Sequence, residues 1–404
     1  MLISFSFSNF SSFKETQTFS LLASEKDDDH QENLIEGKVL KSSLVYGANA
    51  SGKSNFTDAF FAFREIVLDS TSSDDDESHI SMVPPFLFDA DSHTQPIQFE
   101  IIFKENELTY RYGLSFNESE ILEEWLYTKS TRETEVFFRE KQSIIYKKSR
   151  FTELDHLIEN GSLTIDKTIP VISVAALSSK PICKTIINFT KRIKTISGIN
   201  EKGFKSITYS LFEEDEVFKN WALAILKNFN IHDLKIEHIQ DDSSETRSKI
   251  KKLRVEVVKN TKDGFDTFPL AIESEGTRKV LYLLGPLYDS IKLNNLLIID
   301  EFDSKFHTLL TKEILKIFHR FSKNDSQLIA IVQDSCLMDS SILRPDQIWF
   351  IDKDNITNES QLYSLVEYKI KKKNHYGKDY LEGQYGAIPL FSDYSQIHEL
   401  MALK

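Results

Sequence analysis

The sequence predicts an α/β protein in which a parallel sheet wrapped by helices is split by an antiparallel β lobe and a helical insertion. Three observations carry this. Residues 40–63, LKSSLVYGANASGKSNFTDAFFAF, run strand, glycine loop, helix. Residues 98–148 hold short runs of alternating apolar and polar residues broken by polar turns, the pattern of an antiparallel meander. From residue 275 onward, wholly apolar strands alternate with helical patterns, as strands buried on both faces of a parallel sheet do.

Taken in order, MLISFSFSNF alternates apolar and polar residues and reads as a strand; with no basic segment before it, it is not a secretory leader. The acidic, Ser-rich TSSDDDESH (71–79) reads as a loop. QFEIIF (98–103), LTYRYGLSF (108–116), ILEEWLYTKS (121–130), EVFFREK (135–141) and SIIYKK (143–148) are the meander strands. Residues 149–232 read as helical, because KTIINFTKRIKTI (184–196) and EDEVFKNWALAILKNF (214–229) both carry helical apolar spacing. KIKKLRVEVVKN (249–260) alternates again. Then follow a helix, EGTRKVLYLLGPLYDSI (275–291), a strand ending on acids, NNLLIIDEFD (294–303), and a helix, TLLTKEILKIFHRF (308–321). Two further strands are SQLIAIVQD (326–334) and DQIWFIDKD (346–354). The expected organisation is 1–148 for the first half of the core with the β lobe, 149–232 for the helical insertion, 233–365 for the second half of the core, and 366–404 for a tail.

A chain of 404 residues with 40% apolar and 12% aromatic residues, including 30 Phe, forms real cores. No apolar run of about 18 residues appears, so no membrane span is expected. Cys183 and Cys336 lie far apart without metal-type spacing, which fits a reduced, cytoplasmic protein. The net charge of −13 does not attract nucleic acid in bulk. Contact with DNA or RNA is left to local patches such as Lys249, Lys251, Lys252 and Arg254, or Lys369, Lys371, Lys372 and Lys373. Such clusters are more often solvated faces.

Residues 47–54, GANASGKS, fit G-x-x-x-x-G-K-[ST]. Gly47 and Gly52 let the backbone of Ala48, Asn49, Ala50 and Ser51 turn its N–H groups inward on phosphate oxygens, and the helix opening at Lys53, Ser54 and Asn55 adds its positive end. Lys53 reaches the β- and γ-phosphates of ATP and Ser54 offers its hydroxyl to Mg²⁺. Asp300 and Glu301 end a buried strand, where ligands of such sheets sit. Asp300 suits the Mg²⁺ shell through water, and Glu301 the orientation or deprotonation of the attacking water. An Asp-Glu pair also occurs as a plain helix cap. His307 is either a helix-start residue or a group approaching the γ-phosphate or a neighbouring subunit. Ser274, Glu275 and Gly276 open a helix: they are a capping arrangement, or a helix end aimed at a phosphate held by another subunit.

This order of motifs resembles the ABC-type ATPase heads of the SMC/Rad50 and OLD group, and more narrowly the RloA-like or AbiL-like bacterial AAA ATP-binding proteins of abortive infection. The resemblance rests on MLISFSFSNFSSFKETQTFSL, YGANASGKSN, YRYGLSF with ILEEWLY, ESEGTRKVLYLLGPLYDS, IIDEFDSKFH, DQIWFIDKD and YLEGQYGAIP (380–389), which cover nearly the whole chain. It implies an ABC-type head that binds ATP and Mg²⁺ and forms a homodimer or higher homo-oligomer through its ATP sites. It also implies the sensor and scaffold of an antiphage system whose effector, a nuclease by expectation, is a separately encoded protein. About 50 residues follow DQIWFIDKD, too few for a nuclease domain. Where such heads carry a switch histidine after the strand 328–332, this chain has Gln333, which can hydrogen-bond water or phosphate but carries neither proton nor charge. That predicts slow ATP hydrolysis. The competing expectation, a RecF- or Rad50-like DNA-repair ATPase, calls for a strong basic face or a long heptad coiled coil, and neither is visible. A transporter subunit would need membrane partners, and the β-rich insertion argues against it.

Overall fold

The computed structural model describes residues 1–25, 29–70, 78–148, 152–159, 162–177, 181–200, 203–240, 251–322, 325–368 and 375–389. Most of the acidic loop at 71–79 lies outside them. So do Lys249, Lys369, Lys371, Lys372 and Lys373, and nothing is described of the side chains of Lys251 and Lys252. Among the described residues no helix is long and apolar enough to cross a membrane.

The chain opens with β1 (Leu2–Ser8) and β2 (Gln17–Ser20). A two-residue ladder, β3 (Leu34–Ile35) on β4 (Val39–Leu40), leads into β5 (Ser42–Tyr46) and helix α1 (Lys53–Asp69). The meander follows as β6 (Ile97–Glu105), β7 (Leu108–Phe116), β8 (Ile121–Lys129), β9 (Glu133–Glu140) and β10 (Ser143–Tyr146), with short β11 (Ile158–Glu159) and β12 (Ser162–Leu163). These strands join β1 and β2 in one antiparallel sheet of order β11-β12-β10-β9-β8-β7-β6-β1-β2.

Helices α2 (Val171–Ala175) and α3 (Pro181–Lys191) come next, then β13 (Ile193–Ser197), α4 (Lys205–Glu214) and α5 (Glu216–Leu226). The expected helix over 184–196 is therefore corrected. It stops at Lys191, and its last apolar residues alternate into a strand that pairs in parallel with the acidic strand, Ile193 opposite Leu296 through Ser197 opposite Asp300. Strands β14 (Asp233–Gln240), β15 (Lys251–Thr261) and β16 (Gly264–Pro269) form a separate antiparallel sheet. The chain then makes α6 (Glu275–Leu293), β17 (Leu296–Asp300), α7 (Thr308–Phe321) and β18 (Gln327–Ile331). It continues with β19 (Ile348–Lys353), β20 (Ser360–Ser364) and α8 (Tyr376–Leu381).

The central sheet runs β13-β17-β18-β5-β19-β20 and is parallel except at β20. The inner strands β5, β17 and β18 are buried on both faces, which explains the apolar runs of β17 and β18. Alternate residues serve two cores. Val45, Ile298, Ile329 and Ile331 face α1 and the antiparallel sheet, while Leu44, Tyr46, Leu297, Ile299, Leu328 and Ala330 face α4 to α7. Much of the phenylalanine goes into the first core. Phe56, Phe60 and Phe63 line one face of α1, and Phe60 stacks on Phe5 of β1 at 4.1 Å between ring centroids. Because β5, β18 and β17 are consecutive parallel neighbours, their carboxyl ends lie along one edge. That edge carries the glycine loop, Gln333 and Asp300.

Candidate ATP-binding site

Between β5 and α1 the loop turns sharply. Ala50 takes φ 63° and Gly52 φ 108°. A Cβ on Gly52 would also lie 2.6 Å from Ser360 Oγ and 2.7 Å from Ser12 Oγ, so only glycine fits. Those two serines form a clasp. Ser360 Oγ bonds Ser12 Oγ at 2.8 Å and donates to Ser51 O at 2.6 Å, while Asn55 Nδ2 donates to Ser12 Oγ at 2.8 Å. The clasp ties the loop to the β1–β2 turn and to β20. Neither serine stands out in the sequence, since the bonds of Ser360 reach positions more than 300 residues away.

Lys53 is buried and donates to Gly47 O at 2.8 Å and Ala48 O at 2.7 Å. Burial lowers its pKa, against the pull of Asp300, Glu301 and Asp303. Ser54 Oγ donates to Asp300 Oδ2 at 2.8 Å. A hydroxyl and a carboxylate side by side are hard oxygen donors of the kind Mg²⁺ takes, so this pair fits the ion the sequence implied. Asp300 O accepts from Gly198 N at 2.6 Å, so the end of β13 braces the end of β17.

Glu301 sits at φ 52°, a conformation that costs a non-glycine residue about 1–3 kcal/mol and persists only where its surroundings impose it. Its carboxylate accepts no hydrogen bond among the described residues. Asp303 Oδ2 accepts from Gln333 N at 2.8 Å and Asp334 N at 2.6 Å, so the turn after β17 holds the backbone beyond β18. Gln333 itself is exposed.

A cleft of about 390 Å³ is lined by Asn49, Ala50, Gly52, Lys53, Ser54, Asn55, Asp300, Glu301 and Gln333. Gly47, Ala48 and Ser51 line an adjoining cleft of about 960 Å³, shared with Gln333 and walled by Tyr380 and Ile388 of the C-terminal segment. Ser274, Glu275 and Gly276 line neither. Ser274 caps α6, its hydroxyl accepting from Thr277 N at 3.1 Å. His307 caps α7, its Nδ1 accepting from Leu309 N at 3.2 Å, and is exposed. Asp303 and the Ser12–Ser360 clasp escaped the sequence reading.

The parallel core with its P-loop and the antiparallel lobe make this an α/β fold; the described residues of 149–232, expected as a helical insertion, carry α2 to α5 together with β11, β12 and β13, and β13 joins the central sheet. Among solved structures, the SMC head domain from Thermotoga maritima is similar at 13% identity over 90% of this chain and 98% of that one, with a TM-score of 0.44. An SmcHead bound to the C-winged helix domain of ScpA is similar at 15% identity over 90% and 97%, with a TM-score of 0.44. An Smc head with an extended coiled coil, bound to the C-terminal domain of ScpA derived from Pyrococcus furiosus, is similar at 12% identity over 90% and 96%, with a TM-score of 0.39. No curated protein matches the chain. The family model for "AAA domain, putative AbiEii toxin, Type IV TA system" matches residues 42–331. That interval runs from the first residue of β5 to the last of β18 and takes in the P-loop, the start of α6 and the acidic strand end. The chain belongs to this family of AAA ATPase domains.

Proposed function

We propose that the chain binds ATP and hydrolyses it slowly, self-associates around the nucleotide, and serves in the cytoplasm as sensor and scaffold of a bacterial abortive-infection defence of the RloA-like or AbiL-like kind. The effector chemistry belongs to a separate protein, for which a nuclease is the expected kind. The observation that carries the ATPase reading is one cleft in which Lys53, the Ser54–Asp300 pair and the Glu301 carboxylate, which accepts no hydrogen bond among the described residues, face each other.

Lys53 rests on two neutral carbonyls, and an anionic phosphate oxygen is the stronger acceptor for its ammonium. The N–H groups of residues 47–55 and the start of α1 receive the remaining phosphate oxygens. Ser54 and Asp300 would hold Mg²⁺, which would supply positive charge against the phosphates. Glu301 orients the attacking water and takes its proton. Gln333 holds that water or a phosphate oxygen by hydrogen bonds and takes no proton, which keeps turnover slow. Since Ser274, Glu275 and Gly276 line neither cleft of their own chain, they are assigned to the nucleotide of a second copy, making a homodimer or higher homo-oligomer.

The test is Glu301→Gln incubated with ATP and Mg²⁺. Phosphate release is expected to fall about 100-fold or more. The bound nucleotide should be recovered as ATP, and light scattering should report at least a dimer. Native turnover in this variant would overturn the role of Glu301. A monomer with ATP bound would overturn the assembly. Pull-down with the products of neighbouring genes identifies the effector.

A further inference from the structure

Lys279 lies in the second turn of α6, and its side chain is wholly buried. Its Nζ lies 3.1 Å from Glu301 O, 3.0 Å from Phe302 O, and 2.7 Å from both Ser304 O and Ser304 Oγ. It also stands 4.6 Å from the centre of the Phe306 ring. An ammonium has three protons, and these oxygens stand within hydrogen-bond distance of it. They all belong to the turn that holds Glu301 in its strained conformation and that supplies Asp303 to the backbone of Gln333 and Asp334.

Two more contacts join α6 to the same turn. Gly276 lies so close to it that a Cβ would sit 2.8 Å from Lys305 O. Glu275 pairs with Lys305 at 3.4 Å. The first turns of α6 therefore grip residues 301–305 at three points, and only one of them, Lys279, is deep enough to reach the backbone of Glu301 itself.

We propose that Lys279 is a positioning residue: it locks the orientation of Glu301, and through Asp303 that of Gln333, to the seat of helix α6, so that a contact made at Ser274–Gly276 sets the hydrolysis rate in the chain's own cleft. The inference rests on the ATPase reading above. It gives that reading a route by which occupancy of one head reports to the other. Lys279 lines neither cleft, so its loss acts on kcat and not on nucleotide affinity.

The experiment is Lys279→Met in the full chain, with Lys279→Arg beside it, read by binding of a fluorescent ATP analogue, by kcat and KM, and by thermal melting. We expect affinity and KM within about twofold of the native values, kcat lowered about tenfold or more, and partial recovery in Lys279→Arg. Made in the Glu301→Gln background, Lys279→Met should cause no further loss, because the group it positions is already gone. Native kcat in Lys279→Met overturns the inference, as does an equal loss in both backgrounds. If Lys279→Met does not fold, Ser304→Ala, which removes a single acceptor, decides: kcat should fall about twofold to threefold at constant affinity, and no change overturns the proposal. A native chain that neither binds nor hydrolyses ATP sinks the ATPase reading and this inference together. Native turnover with unaffected variants sinks this inference alone.

Discussion

Glu124 and Glu301 are each the second of two adjacent acids in a β-strand pattern, and the molecule treats them in opposite ways. Glu124, in β8, is wholly buried with every bond filled. It accepts from Tyr112 OH at 3.0 Å, Arg139 at 3.3 Å, Val171 N at 2.8 Å and Ile172 N at 3.2 Å. Burial raises its pKa, with Arg139 and these donors pulling the other way. Arg139 is equally enclosed, donating to Lys141 O at 2.6 Å and Ile169 O at 2.8 Å. Glu301 is half-exposed and strained, and among the described residues no protein donor reaches its carboxylate. A charge whose bonds are all made by the protein is architecture. A charge held in place by its backbone, with its own bonds unmade, is kept for a ligand.

The largest test of this contrast is Arg139→Met, which strands the Glu124 carboxylate in the lobe. Urea unfolding should show a loss of about 3–5 kcal/mol, while the molecules still folded bind ATP normally. An unchanged midpoint would mean that the buried pair contributes nothing.

A second enclosed group gives a pH-dependent version. His319 bonds Ser42 Oγ through Nε2 at 2.7 Å beneath β5, and its pKa is held down to about 4, by burial first and then by Lys41 and His30, against Glu32. The folded value lies below the unfolded 6.5, so the unfolded chain takes up the proton first as pH falls. Stability from this residue is whole above pH 6.5 and drains away towards pH 4, by a total on the order of 3 kcal/mol. Unfolding curves at pH 7.5 and 5 for the native chain and His319→Gln should differ in slope, and parallel pH dependence would count against the burial argument.

Within the cleft the expected pattern reverses. Lys53→Ala should weaken ATP binding at least about 100-fold, measured by calorimetry, because several charge-assisted bonds vanish together. Stability should change by less than about 1 kcal/mol, since burying this ammonium already opposes its charge. A large stability loss would place Lys53 with the structural charges. Smallest is Gln333→His, which should raise turnover about threefold to tenfold by adding a group that can move a proton. An unchanged rate would put position 333 outside the reach of the γ-phosphate.

Several of these distinctions were legible in the residues. GANASGKS, the strand LLIID and the helix from Thr308 to Phe321 were each readable from local pattern, and the structure has them there. β13 was not readable, because the apolar spacing of KTIINFTKRIKTI stays helical almost to its end and only pairing with β17 makes the last residues a strand. Nothing in EGTRKVLYLLGPLYDSI sets Lys279 apart from its polar neighbours Thr277 and Arg278, and Asp303 simply follows Phe302 after the acid pair.

What the sequence by itself determined is therefore local chemistry: a loop that can turn only with glycine, strands apolar enough to be buried on both faces, and the acids that end one of them. What only the tertiary structure decided is which charges are enclosed and which are left open. ILEEWLY and LLIIDEFD both read as acids on an apolar strand. The first is closed by groups 12 to 48 positions away, while the second is gripped from behind by Lys279, 22 positions away, and left bare in front. Desolvation and hydrogen bonding depend on whatever packs around a group, and those neighbours are set by the fold, not by adjacency along the chain.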